Sequence, residues 1–194
     1  MSAIASQPVS AASRGFGLIE LLVAIGIIAL ITSTILVRQS SFNSTVILEN
    51  QAWEVATDIR QTQNLAASPQ QRAGDDWRGQ YGITFTPGNR AYVIYHQSGD
   101  DTNTIASLSL DRRFSITQIR DADGGLIETG PVSIQFERPN FDPTFLVMGG
   151  SGTDPVTTSE IRVRIEPTGN NDDNRAREVR VTASGQVNVI NPGL

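Results

Sequence analysis

Glu20 is the residue whose type and surroundings most clearly suggest chemistry. It is the only charged residue between Phe16 and Val37, and no charge occurs from Leu21 to Val37. A carboxylate that enters lipid is costly unless it meets a partner, so it marks a functional site by default. The chemistry that we expect of Glu20 is therefore pairing with a cation.

A helix must position this carboxylate. At about 1.5 Å per residue, the 22 residues from Phe16 to Val37 reach roughly 33 Å, enough to cross a bilayer core. Near the start of that helix the macrodipole favours an anion by up to ~1 kcal/mol. The sequence therefore predicts a membrane-spanning helix with Glu20 close to its N-terminus.

The stretch Arg14-Gly15-Phe16-Gly17-Leu18-Ile19-Glu20 resembles the prepilin signal of the type IV pilin and type II secretion pseudopilin superfamily. That signal is a short leader ending in Gly, a cleavage site before Phe, a Glu at the fifth mature position and an apolar helix. The resemblance implies that prepilin peptidase cuts between Gly15 and Phe16, and that the new N-terminus of Phe16 is methylated. It also implies that this positive terminus neutralises Glu20 of a neighbouring subunit while the apolar helices form a filament core.

Two simpler interpretations compete with this one. A secretory signal has an apolar core of about 7–15 residues followed by a small-x-small cleavage site. Here the apolar run is longer, carries Glu20 and is followed by Val37-Arg38-Gln39. A plain single-pass anchor explains the length, but it needs neither Glu20 nor the Gly15–Phe16 junction.

Helical spacing continues beyond the apolar run, because no Pro occurs between Phe16 and Ser68. Apolar residues recur at three- and four-residue steps, with Thr62 or Gln63 filling one gap: Leu48, Ala52, Val55, Ile59 and Ala66. Pro69 is expected to end the helix. This pattern predicts an amphipathic second half that docks on a globular head.

After Pro69 the spacing changes to period two and predicts eight strands: Tyr81–Phe85, Ala91–Tyr95, Ile105–Leu110, Phe114–Ile119, Val132–Phe136, Ile161–Ile165, Glu178–Thr182 and Val187–Ile190. Turn signals at 86–89 and 183–186 join the first two and the last two as hairpins. Residues 70–80, 138–159 and 167–176 are expected to be loops. The predicted fold class is α+β, a long N-terminal helix packed on a mostly antiparallel sheet.

The expected domain organisation has three parts. Residues 1–15 form a cleaved leader, 16–43 the transmembrane and filament-core helix, and 44–194 the head, with helix 44–68 and a sheet over 79–191. Within the head, the segments Trp53–Ala66, Tyr81–Phe85 and Arg180–Val187 resemble the minor pseudopilin H and FimT-like group.

Two oxygen-rich loops are candidate calcium sites. One holds Asp121 and Asp123, and the other holds Asn170, Asp172 and Asp173. Calcium takes about 6–8 oxygen ligands, and neither loop has the spaced terminal Glu of an EF-hand. Because Asp-Gly is also an ordinary turn, calcium is an option only, and no other cofactor is expected.

One basic concentration occurs near the C-terminus, and it consists of five arginines: Arg162, Arg164, Arg175, Arg177 and Arg180. FimT-like proteins of DNA-uptake pili use a Gly-Arg-x-Arg motif, and the matching turn here, Gly185-Gln186-Val187-Asn188, lacks both arginines. Glutamates and aspartates interleave with the cluster. We therefore interpret it as a solvated, ion-paired face, and DNA contact is the alternative.

Composition narrows the function further. The net charge is −5, and removal of residues 1–15 leaves 14 basic and 20 acidic side chains, a net charge of −6, which is unfavourable for general nucleic-acid binding. The absence of Cys excludes disulfides, thiolate metal sites and Cys nucleophiles. His96 is the only His, and no nucleophile elbow, phosphate loop or dinucleotide fingerprint is present, so an enzyme is not expected.

These patterns predict a structural subunit of a type IV pilus or a type II secretion pseudopilus. The alternative is a minor pilin that binds DNA or a surface at the filament tip. The expected partners are other pilin or pseudopilin subunits, prepilin peptidase, the inner-membrane assembly platform and, before assembly, membrane lipid; nucleic acid is not expected. The expected location is the inner membrane as a single-pass protein, then a periplasmic or extracellular filament.

Overall fold

The computed structural model describes residues 17–68, 79–127, 130–137, 142–149, 152–169 and 175–192. Its contacts divide the chain into two compact units, Met1–Asn43 and Ser44–Leu194. The second unit is called the head below. One helix, α1 (Leu18–Ala67), contributes residues to both units.

Ten strands follow the helix: β1 (Gln80–Phe85), β2 (Ala91–Ser98), β3 (Asp101–Ser109), β4 (Phe114–Arg120), β5 (Val132–Phe136), β6 (Pro143–Gly149), β7 (Gly152–Pro155), β8 (Glu160–Pro167), β9 (Arg177–Thr182) and β10 (Val187–Ile190). They form a six-stranded sheet in the order β3-β2-β1-β5-β6-β7 and a four-stranded sheet in the order β10-β9-β8-β4. Every pairing is antiparallel.

The head is built around a helical stripe. Five apolar side chains on this stripe are at most 1% exposed: Leu48, Ala52, Val55, Ile59 and Ala66. Thr62 fills the gap between Ile59 and Ala66, is fully buried, and donates its hydroxyl to the Asp58 carbonyl at 2.8 Å. The buried hydroxyl is therefore satisfied within the helix.

The inner faces of both sheets join this stripe in one core. From the six-stranded sheet the cluster includes Ile83, Phe85 and Ile134, and from the four-stranded sheet Ile161 and Val179, all 0% exposed. In β4 the apolar residues Phe114 and Ile116 alternate with more exposed neighbours, as period-two spacing requires. The predicted α+β class is confirmed, with two antiparallel sheets in place of one.

The eight predicted strands are all present, but the loop predicted over residues 138–159 is wrong. Strands β6 and β7 lie there and extend the larger sheet beyond β5. The sequence analysis did not predict these two strands, because the segment is rich in proline and glycine, which normally indicate loops. Here Pro143 is the first residue of β6 and Pro155 the last residue of the edge strand β7, positions where a missing N–H is tolerated.

Candidate functional site

Apolar side chains surround the first part of the helix, Leu18–Leu36, which we call the apolar segment. Its mean hydropathy is 2.4 and none of it is buried. Twelve large aliphatic side chains are more than half exposed: Leu18, Ile19, Leu21, Leu22, Val23, Ile25, Ile27, Ile28, Leu30, Ile31, Ile35 and Leu36. An exposed apolar surface of this extent marks a contact with membrane or protein. At about 1.5 Å per residue, its 19 residues span roughly 28 Å, close to a bilayer core.

Glu20 lies in the first turn of the helix and is exposed. The Gly17 carbonyl accepts the N–H groups of Glu20 at 3.0 Å and Leu21 at 3.1 Å, which closes that turn. The carboxylate therefore lies beside the unpaired N–H groups and positive pole of a helix N-terminus. Within the described part of the chain it has no ion-pair partner, so its charge is available to a cation from outside that part.

The predicted processing residues Gly15 and Phe16 lie outside the described residues. Their roles, like the pairing of Phe16 with Glu20, stay predictions. The predicted split into leader, membrane helix and head also stays a prediction.

Polar side chains fix the second part of the helix to the sheets. Asp58 accepts a hydrogen bond from the Tyr92 hydroxyl at 2.5 Å, and burial together with this bond raises the pKa of Tyr92. Arg60 donates to the Val187 carbonyl at 2.6 Å, and the Gln51 side chain accepts the Asp111 N–H at 2.7 Å. The helix is thus held at β2, at β10 and before β4, which sets its rotation on the core.

The five C-terminal arginines do not share one surface. Arg164 is 4% exposed and donates to Glu166 and, at 3.4 Å, to Glu178, and these two glutamates are equally buried. Strand alternation places Arg177 on the face of β9 opposite to Arg180, and Arg175 lies exposed before that strand. Only Arg162 and Arg180 are direct neighbours across strands. The interleaved ion pairs are present, but Arg164 is buried rather than solvated.

Strand pairing brings a further arginine, absent from the predicted C-terminal cluster, next to Arg162. Arg120 on β4 lies opposite Arg162 on β8, and Arg162 lies opposite Arg180 on β9. These three residues, which we call the arginine row, share the outer face of the four-stranded sheet. No local spacing could reveal Arg120, because it is about 40 residues from Arg162 in sequence and joins it only through the β4–β8 register.

The aspartates of the first calcium candidate form a turn. Asp121 Oδ1 accepts the N–H groups of Asp123 at 3.1 Å and Gly125 at 2.7 Å, while Asp123 is exposed. Such bonds are typical of an Asx turn. Asn170, Asp172 and Asp173 lie outside the described residues. Among the residues that the structure describes, no group of three or more His, Asp or Glu could hold a metal ion.

A buried polar cluster on the six-stranded sheet was missed by sequence reasoning. The Tyr95 hydroxyl and Ser133 Oγ lie 2.5 Å apart, and Gln135 Nε2 donates to Tyr95 at 2.7 Å and to Gln97 at 3.2 Å. The ring of Tyr95 crosses Gly82, where an added Cβ would lie 2.4 Å from the ring. The cluster fills its own hydrogen-bonding capacity, which indicates a structural role in joining β2, β1 and β5.

His96 is also buried, at 7% exposed, and its ring packs on Tyr81 with centroids 4.7 Å apart. An added Cβ at Gly79 would lie 2.1 Å from His96 Nε2, so the backbone closes tightly over the imidazole. This packing indicates a structural histidine.

Comparison with known proteins supports the reading of the N-terminus. Residues 10–36 match the family profile of the prokaryotic N-terminal methylation motif, which is typical of type IV pilin-like proteins. No curated protein and no solved structure matches the chain. The matched residues cover the predicted cleavage site, Glu20 and the apolar segment.

Proposed function

We propose that this protein is a structural subunit of a type IV pilus or type II secretion pseudopilus, processed by prepilin peptidase and without a catalytic role. One observation carries the proposal: an exposed apolar helix begins with a carboxylate that lacks a cation within the described part of the chain, inside a methylation motif. A plain anchor explains the apolar surface, but it gives no reason for the carboxylate.

In the proposed mechanism, cleavage after Gly15 frees the amino group of Phe16, which is then methylated and stays positive. In a filament this terminus pairs with Glu20 of a neighbouring subunit. The pair is strong because the surrounding helices exclude water and lower the local dielectric constant. It sets the axial register, while the apolar segments supply most of the contact area.

Processing supplies the direct test. Mass spectrometry of the membrane-bound or assembled protein should show a chain that begins at Phe16 and carries one methyl group on its amino nitrogen. Gly15→Ala should still be cleaved, whereas Gly15→Leu should leave the leader in place, because the family's peptidase needs a small residue there. An intact leader in assembled wild-type material would contradict the proposal.

Within this class, we favour the pseudopilin H and FimT-like group, supported by the sequence of the docked helix and of the β9–β10 hairpin. The alternative is a tip pilin that binds DNA or another surface. The burial of Arg164 and the separation of Arg177 from Arg180 weaken the five-arginine DNA footprint. Deleting the gene and measuring secretion and DNA uptake side by side distinguishes the two roles.

A further inference from the structure

We propose that the arginine row is a docking site for the acidic turn of a second copy of this chain. The acidic turn consists of Asp100 and Asp101, at the tip of the β2–β3 hairpin. The contact would join the outer face of the four-stranded sheet on one head to the far edge of the six-stranded sheet on the next.

The arginine row carries more positive charge than its own head compensates. Arg162 donates to Glu160 from Nε at 2.6 Å and from one terminal nitrogen at 2.5 Å, but Arg180 lies 3.9 Å from Glu160, beyond hydrogen-bond distance. Arg120 donates only to the neutral Gln118, at 2.7 and 3.1 Å. Among the described residues, the three guanidinium groups of the row thus share one carboxylate, an excess of two positive charges. The neighbouring cluster of Arg164, Glu166 and Glu178 on the same sheet face carries one excess negative charge, but its two glutamates bond Arg164 and are buried.

This arrangement is unfavourable in an isolated head. Residues directly opposite on neighbouring strands have Cβ atoms about 4.5–5.5 Å apart, and like charges there repel. Arg180 Nε is buried without a hydrogen-bond partner in the described part of the chain, so this guanidinium is incompletely satisfied. The side chains of Arg162 and Arg180 keep 30% and 35% of their surface exposed. An external carboxylate can therefore reach both and relieve the repulsion.

The acidic turn matches this excess in charge and access. Asp100 and Asp101 are exposed, and neither has an ion-pair partner among the described residues. Gly99, with φ +60°, and Asp100 form the two-residue turn that closes the hairpin between Ser98 and Asp101. Two adjacent carboxylates at a hairpin tip supply the two negative charges that the arginine row lacks.

The arginine row and the acidic turn belong to different sheets, so each head carries one basic and one acidic half of the contact. A contact between different patches is heterologous, and repeated heterologous contacts give rings or open helical filaments. The inference therefore rests on the proposed filament function, in which helices confined to one membrane hold the heads at high effective concentration. Exposed ion pairs are individually weak, so this confinement is what makes the contact form.

Cysteine cross-linking tests this contact in the full-length protein, because the chain has no native Cys. Thr102→Cys lies beside the acidic turn, and Asn188→Cys lies opposite Arg180 on β10. In membranes from expressing cells, a short bis-maleimide should link this double variant into dimers and a ladder of multimers. Neither single-cysteine variant should form the ladder.

Charge reversal provides the matched control. Arg162→Asp with Arg180→Asp should lower the cross-linked fraction about tenfold, since facing like charges repel. Adding Asp100→Arg with Asp101→Arg to the same chain should restore it, which shows that the arginine variants still fold. Cross-linking that is insensitive to these reversals, or absent from the Thr102/Asn188 variant, would overturn the proposal.

A separate cysteine in the apolar segment, Ala24→Cys, distinguishes failure of the head contact from failure of the proposed filament function. If Ala24→Cys forms dimers while the head reporter does not, the helices assemble and only the head contact is wrong. If neither cross-links, the filament function fails as well.

A gel-shift titration of the detergent-purified chain tests DNA as the alternative ligand of the arginine row. If the arginine reversal abolishes DNA binding but leaves cross-linking unchanged, nucleic acid is the occupant and the contact between copies is overturned.

Discussion

At the scale of single residues, Glu20 and Arg164 show how environment decides what a charge does. Glu20 is exposed on an apolar helix and has no cation among the described residues, so its charge is available for the pairing with a neighbouring subunit that we propose. Arg164 is buried between two glutamates of its own head, so its charge is used internally. Two charged residues of one chain can therefore differ in role: in our proposal Glu20 serves assembly, whereas Arg164 serves folding.

Glu20→Ala should leave the protein in the membrane, because the helix becomes more apolar, but should prevent its incorporation into filaments. Stranding the charge of a buried pair costs about 3–5 kcal/mol, so incorporation should fall more than tenfold. Glu20→Gln, which keeps size and hydrogen-bonding groups, should fail equally if the charge is what matters. Immunoblots of the sheared filament fraction measure this, and wild-type incorporation of either variant would show that the Phe16–Glu20 pair is dispensable.

Arg164→Met should destabilise the head by about 3–5 kcal/mol, because Glu166 and Glu178 would remain buried without their common cation. Arg162→Met is the matched control on the same strand. Its side chain is 30% exposed, and its loss should cost at most about 1 kcal/mol. Urea unfolding followed by tryptophan fluorescence compares the two, and equal midpoints would contradict the structural role of the Arg164 cluster.

At the scale of elements, α1 changes its role along its length. The apolar segment has apolar side chains on all sides, and residues 44–67 present a narrow stripe of mostly small side chains to the head. Ala52, Ala56 and Ala66 are fully buried in the core, while Asp58 and Arg60 bond to the sheets from its flanks. The helix is thus an exposed apolar element, consistent with membrane anchoring, at one end and a core element at the other.

Deleting residues 1–43 should give a soluble, cooperatively folded monomer, because the described core begins at Leu48 and lies within the head. A deletion of residues 1–57 is the control: it also removes Leu48, Ala52 and Val55 from the stripe and should aggregate or unfold. Size-exclusion chromatography and thermal melting monitored by circular dichroism distinguish these outcomes. Aggregation of the shorter deletion would place the boundary between anchor and head elsewhere.

At the scale of the whole molecule, the chain separates two kinds of contact. The apolar segment offers a contact surface that does not select one orientation, whereas Glu20 and, in our proposal, the arginine row offer charges at defined positions. Hydrophobic burial supplies most of the free energy of association, and charge pairs fix register and partner. Such a division suits the filament subunit that we propose, which leaves lipid and then takes one position among its neighbours.

The amino-acid sequence by itself determined the helix, its apolar and amphipathic parts, eight strands and the two hairpin turns. It could do so because helical and strand periodicity are local, and because an uncharged run interrupted by one carboxylate is rare enough to indicate a function. Spacing also located the gap in the helical stripe, although it left Thr62 and Gln63 as alternatives and the structure buries Thr62 there.

Only the tertiary structure decided which distant residues meet. Strands β6 and β7 exist because β5 offers a pairing edge, despite prolines and glycines that predict a loop. The arginine row and the Tyr95–Ser133–Gln135 cluster depend on strand register, and the burial of Arg164 depends on the packing around it. Register and packing arise from contacts between segments far apart in the chain, so periodicity within any one segment carries no record of them.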